Sequence, residues 1–154
     1  LAPWAETFAF LVARAQIVTE VIRPALERGA VVVCDRFQAS TFAYQGFARG
    51  LDLDRLRAAN EDATGGLEPD LTLLLDIEPA SGLLRKHGET EAIRTGVESE
   101  EFHQRVREGY LAQFRAAKPG TWLKLDASGE AEAIGADAWA AVESKLFASK
   151  GTRG

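Results

Sequence analysis

Residues 31–46 read VVVCDRFQASTFAYQG, and this stretch decides how the chain is understood. Four apolar residues, three of them β-branched, run straight into Asp35-Arg36 and then into a polar stretch ending Tyr44-Gln45-Gly46. The pattern predicts a buried strand that delivers an acid and a guanidinium at its carboxyl end. In open α/β sheets ligands sit in the crevice outside those strand ends. Arginine there suits a phosphate, because its planar fork engages two oxygens at once. An Asp-Arg pair that merely closes a strand as a structural ion pair fits the same placement, and strand position alone does not choose between the two.

The 154 residues suit one domain with a real core, and 46% apolar and 27% charged residues are ordinary for a globular protein. A net charge of −5 argues against a general nucleic-acid binder while leaving room for a small phosphorylated ligand gripped by local arginines. Cys34 is the only cysteine, so no internal disulfide forms and a reducing, cytoplasmic setting is expected. Placed after three valines, it reads as a packing residue rather than a nucleophile. No apolar run reaches membrane-spanning length, and no signal peptide is expected. The chain starts at Leu1, close to the onset of a strong helical pattern, as though earlier elements had been left out.

From Glu6 to Arg28, apolar residues at Phe10, Ala13, Ile17, Val21 and Leu26, flanked by Val18, Ile22 and Ala25, have helical spacing and predict one wide buried stripe. Pro24 should kink the last turn, and Gly29 should end it. Ala30 to Cys34 is the first expected strand, followed by a short helix near 39–47. Asp52 can cap a helix to Ala63 that carries Leu53, Leu56 and Ala59 on one face. Leu71–Leu75 is a second buried strand ending in Asp76, and Pro79 opens a helix to about His87. The polar, charged residues from Gly88 to Val97 read as a mobile surface segment. A long helix over 98–117 repeats Phe102, Val106, Tyr110 and Phe114, and it precedes a third strand at 121–125 and a closing helix at 131–148. Helices alternating with buried strands predict an α/β fold, a parallel sheet covered by helices on both faces.

Several side chains in this frame carry chemistry. Arg14 lies four residues after Phe10 on one helix face, where ring and guanidinium can stack on a planar base and bond its edge; a core phenylalanine below a solvated arginine has the same spacing. Asp35 suits a magnesium ion that retains waters, and Arg36 a phosphate. Ser40, Thr41 and Gln45 offer hydroxyl and amide groups for sugar, phosphate or base, while Tyr44 reads equally as a core aromatic or a sugar-facing one. Asp76 ends a strand and is either a metal ligand or a cap on the turn into Pro79. Arg85, Lys86 and Arg94 bracket the mobile segment, which is either a lid that carries charge to a transferring phosphoryl group or a solvated loop. His87 and His103 have no metal-ligand spacing, and no Ser-His-Asp, Cys-His or G-x-G-x-x-G pattern is present.

The combination of D-R-F-x-x-S-T-x-x-Y-Q-G with F-x-x-x-R upstream and P-D-L-x-x-x-L-D downstream resembles thymidylate kinase, the P-loop family that moves the γ-phosphoryl of ATP to dTMP. The similarity covers nearly the whole chain, through the REGYL helix and the WLKLDA strand. It implies a three-layer αβα fold of P-loop kinase type, a single domain over residues 1–154 with a lid at about 85–97, ATP and Mg²⁺, and a homodimer formed through the Glu6–Arg28 helix. Nucleic acid and membrane are not implied partners. By position, the resemblance puts Phe10 on thymine and Arg14 on its edge. It puts Arg36 on the dTMP phosphate and Asp35 near magnesium. Thr41 and Gln45 line the pyrimidine, with Ser40 and Tyr44 beside base and sugar. Arg85 and Arg94 fall in the lid, and Asp126-Ala127 borders the adenine of ATP. Around Arg94 the sequence is Ile-Arg-Thr-Gly, where the family usually has Asp-Arg followed by an acid.

No G-x-x-x-x-G-K-[ST] occurs in these residues, so the loop whose amides cradle ATP phosphates is not among them. In the family the strand feeding that loop lies between the strands that here are 30–34 and 71–75. The expectation is therefore that the first βα portion is missing from this stretch and precedes it in the molecule. Without it, ATP binding should be poor and turnover negligible. The competing readings are a kinase of the same scaffold for another nucleotide or nucleoside, and a noncatalytic nucleotide-binding module.

Overall fold

The computed structural model describes residues 1–82 and 99–147; the proposed lid, with Arg85 and Arg94, lies outside the described residues. The chain divides into two compact units, one of Leu1–Glu68 with Glu108–Tyr110, the other of Pro69–Arg107 with Leu111–Gly154.

The first unit is helical. Helix α1 (Pro3–Ile17) runs through a wider π-helical segment, Val18–Ile22, into α2 (Arg23–Glu27). Pro24 has no N–H for the carbonyl one turn back, and a wider segment lies just before it, where Arg23 N–H reaches back to Val18 O. Gly29 ends α2 as expected: at φ 77° its N–H donates to Leu26 O while Ala30 N–H donates to Ala25 O, so two terminal carbonyls are satisfied. Helix α3 (Gln38–Thr41) continues as a second π-helical segment, Phe42–Ala48. Helix α4 (Leu53–Thr64) is capped by Asp52, whose carboxylate accepts from Arg55 N–H at 2.8 Å, and ends at Gly65 in the left-handed conformation.

The buried row of α1 and the π segment that follows it is Thr7, Leu11, Arg14, Val18 and Ile22; α1 packs against α4, which buries Leu56. This corrects the predicted stripe, since Phe10, Ile17, Val21 and Leu26 are exposed. Apolar spacing identifies a helix without saying which of two adjacent apolar rows faces the core; the second row is left for another contact. The strand expected at 30–34 is also corrected. Those residues form no ladder, and Val33 is 92% exposed. Strand propensity is realised only against a hydrogen-bonding neighbour, and among the described residues none lies beside this segment. Gly109, the middle of the Glu108–Tyr110 segment, comes so close to the second π segment that a Cβ there would stand 2.9 Å from Ala43 Cα.

The second unit contains the sheet of the described residues, two parallel strands β1 (Thr72–Asp76) and β2 (Trp122–Asp126), in register from Thr72 opposite Trp122 to Asp76 opposite Asp126. A helical turn opens at Pro79. Helix α5 (Glu100–Ala116), capped by Ser99, brings Phe102 and Val106 into the core with Leu125, and α6 (Ala131–Phe147) closes the described chain. Helices joined to a small parallel sheet are consistent with the predicted P-loop kinase class of α/β fold.

Candidate active site

The first unit gathers most of the predicted acceptor residues around one backbone turn. The chain leaves the extended stretch at Asp35, turns at Arg36 with φ 69°, and enters α3 two residues later. A left-handed φ is uncommon for a residue with a side chain, and here it lays the exposed Arg36 guanidinium over the Tyr44 ring, 5.3 Å from its centroid. Ser40, one turn into the helical stretch, shares a 2.6 Å hydrogen bond with the hydroxyl of Tyr110. Burial pushes the Tyr110 phenol up from its ordinary value, so it stays a neutral hydroxyl at Ser40.

Arg14 reaches the same turn from α1. It is 9% exposed, and its guanidinium donates from Nη1 to Asn60 Oδ1 at 2.9 Å and from Nη2 to the Phe37 carbonyl at 3.2 Å, with the Phe37 ring 5.5 Å away. Burial pulls its pKa below the usual arginine value, though arginine keeps its charge in proteins. Phe10, one turn earlier, is 52% exposed. Thr41 and Gln45 are buried; Gln45 Nε2 donates to Glu6 Oε1 at 2.7 Å, and Arg49 binds the same oxygen at 3.0 Å. Asp35 is the exposed acid next to Arg36. No group of three or more His, Cys, Asp or Glu side chains forms a metal nest among the described residues. Magnesium held largely by phosphate oxygens and waters needs only one or two carboxylates, so Asp35 fits that ion.

The second unit carries a charged cluster at the carboxyl ends of its strands, in an open cleft of about 360 Å³. Arg107 grips Asp76 with Nε to Oδ1 at 2.7 Å and Nη2 to Oδ2 at 3.2 Å, and its Nη1 pairs with Glu78. Lys124 adds a 3.3 Å bond to Asp76. The Arg107 bond holds the Asp76 carboxyl below its ordinary pKa. Asp76 is thus an anion that ties the end of β1 to α5, a pairing that neither of its two sequence readings, metal ligand or cap on the turn into Pro79, anticipated. Asp126 ends β2 and accepts from Ser128 N–H at 2.9 Å, a turn that lowers its own pKa and leads past buried Ala127.

The thymidylate kinase family model matches residues 1–138. The chain belongs to the thymidylate kinase family. Proteins called thymidylate kinase from Desulfovibrio desulfuricans, Solidesulfovibrio magneticus and a Roseiflexus species are 50%, 48% and 46% identical to it. These matches cover 95%, 90% and 95% of this chain and 70%, 69% and 70% of the respective relatives.

The structure brings Arg14, Arg36, Ser40 and Tyr44 to one turn, and Thr41 and Gln45 are buried. Asp126 and Ala127 belong to the other unit. Sequence reasoning missed Glu6, Asn60, Tyr110 and Arg107. One signal was available for Asn60: it stands one helical turn after Leu56, so an amide occupies a core position of α4. Tyr110 was legible only as a member of an apolar repeat, and nothing in the spacing of Asp76 and Arg107 announces their pairing.

Proposed function

We propose that this protein transfers the γ-phosphoryl group of ATP to dTMP, producing dTDP for dTTP synthesis. The observation that carries this reading is the approach of two arginines to one turn: Arg36 lies within it and Arg14 bonds its Phe37 carbonyl from α1. In a family of thymidylate kinases, that pair suits a ligand with a pyrimidine at one end and a phosphate at the other. Arg36 binds the acceptor phosphate, Phe10 stacks on thymine, and Arg14 bonds the base edge. Thr41 and Gln45 line the pyrimidine, with Ser40 and Tyr44 against base and sugar. Glu6 and Asn60 hold Gln45 and Arg14 in place. Asp126 and Ala127 border adenine, and Arg85 and Arg94 supply lid charge.

The reaction is an in-line displacement. A dTMP phosphate oxygen forms the new P–O bond to the γ-phosphorus while the bond to the β,γ-bridging oxygen breaks, and ADP leaves with that electron pair. No covalent enzyme intermediate is needed, so the protein's work is positioning and neutralising charge. Asp35 is the residue that would hold Mg²⁺, which supplies positive charge to the phosphates when bound. Exposed Ile17, at the end of α1, and Val21, in the π segment that follows it, support a homodimer through that stretch. The single cysteine suits a cytoplasmic setting, and no described helix is long and apolar enough to cross a membrane.

Steady-state assays of the full-length protein with ATP·Mg²⁺ and dTMP, dUMP, CMP or thymidine test the assignment. Transfer to dTMP with the highest kcat/KM is expected. Preference for another acceptor, or dTMP binding without turnover, overturns it.

A further inference from the structure

Asn60 is 4% exposed and sits on α4, away from every motif of the sequence, yet both ends of its amide are engaged. Its oxygen accepts from Arg14 at 2.9 Å and its nitrogen donates to Gln38 Oε1 at 2.8 Å. Arginine can only donate, so the amide oxygen must face Arg14 and the NH₂ must face Gln38. Gln38 is the first residue of α3, directly after the Phe37 carbonyl that Arg14 also binds. The three side chains and that carbonyl form a closed brace from α1 through α4 to the turn holding Arg36.

We propose that Asn60 is a positioning residue for acceptor-nucleotide recognition: it orients Arg14 and fixes its spacing to the Asp35-Arg36 turn. Resting on the dTMP kinase reading, this assigns to α4 a part of substrate selection that contact with the ligand does not explain. Leucine at this position would fill the space and leave buried donors of Arg14 unsatisfied. Aspartate would retain the acceptor for Arg14, and the Gln38 amide would have to turn over and donate to it.

The test is a double-mutant cycle on the full-length protein, with KM for dTMP, KM for ATP, kcat and Tm read for each variant. Asn60→Ala should raise KM for dTMP by about tenfold, the scale of one lost bond to a charged group, with KM for ATP changed by less than about twofold. In an Arg14→Ala background the same substitution should change KM for dTMP by less than about twofold, because its target is gone. Asn60→Asp, which folds without a cavity and still accepts from Arg14, should keep KM for dTMP within about threefold of wild type. An unchanged KM in Asn60→Ala, equal rises in both KM values, or full multiplicativity with Arg14→Ala overturns the proposal. So does a tenfold loss in Asn60→Asp, which decides the matter if Asn60→Ala does not fold. Wild-type protein that fails to phosphorylate dTMP overturns the functional reading itself, whereas active wild type with an inert Asn60→Ala overturns only the role of Asn60.

Discussion

Arg36 carries two demands at once, a backbone at φ 69° and a guanidinium beside Tyr44. A left-handed conformation at a non-glycine residue costs about 1–3 kcal/mol and persists where the surroundings hold it, commonly at functional sites. Glycine relieves the backbone and deletes the charge, so Arg36→Gly separates the two. The variant should melt no lower than wild type, while KM for dTMP rises and kcat falls by about 10²-fold through loss of an anion-binding group. Wild-type kinetics in this variant would remove the phosphate role. Phe10 is half exposed, one helical turn before buried Arg14. A base stacked on an aromatic ring gains about 1–3 kcal/mol, so Phe10→Ala should weaken dTMP binding by about tenfold in calorimetry. Equal affinities would place the ring outside the pocket.

At the scale of elements, β1 and β2 present Asp76 and Asp126 side by side at their carboxyl ends, and the arginine of α5 makes that tolerable. Arg107 hydrogen-bonds Asp76, with Lys124 assisting, and lowers its pKa from the ordinary 3.8. The unfolded chain therefore takes up this proton at higher pH than the folded one. The stabilisation from Asp76 is complete above its unfolded pKa and is lost as pH falls through the lower folded value. In urea titrations Asp76→Asn should be less stable than wild type at about pH 7, and the gap should close below about pH 4. A gap independent of pH would mean that the ion pair does not stabilise the strand ends. Gly109 admits the second π segment at a distance no Cβ permits, and its neighbour Tyr110 delivers a hydroxyl to Ser40.

For the whole molecule, the second apolar row of α1 and the π segment that follows it sets the expectation of association. Ile17 and Val21 are exposed next to a row that is buried, and water contact along such a face is relieved by pairing. Light scattering on the full-length protein should give twice the subunit mass, and Val21→Glu should shift it to one subunit without lowering the helical content. A single-subunit mass for wild type would reject pairing through that stretch. Much of this protein was legible in its sequence. The Asp52 cap and the Gly29 stop arise from interactions within a few residues, the apolar runs at 72–76 and 122–126 marked two segments that become strands by pairing with each other, and the D-R-F-x-x-S-T-x-x-Y-Q-G motif led to the family. Three things were not legible. The buried face of α1 depends on which neighbours arrive, strand formation at 30–34 depends on a ladder partner, and the pairing of Arg14 with Asn60 joins residues 46 positions apart. Capping and turn geometry are set by the local chain and survive in any context. Burial, ladder pairing and the orientation of a guanidinium by an amide exist only when distant segments meet, because each depends on excluding water from both partners together.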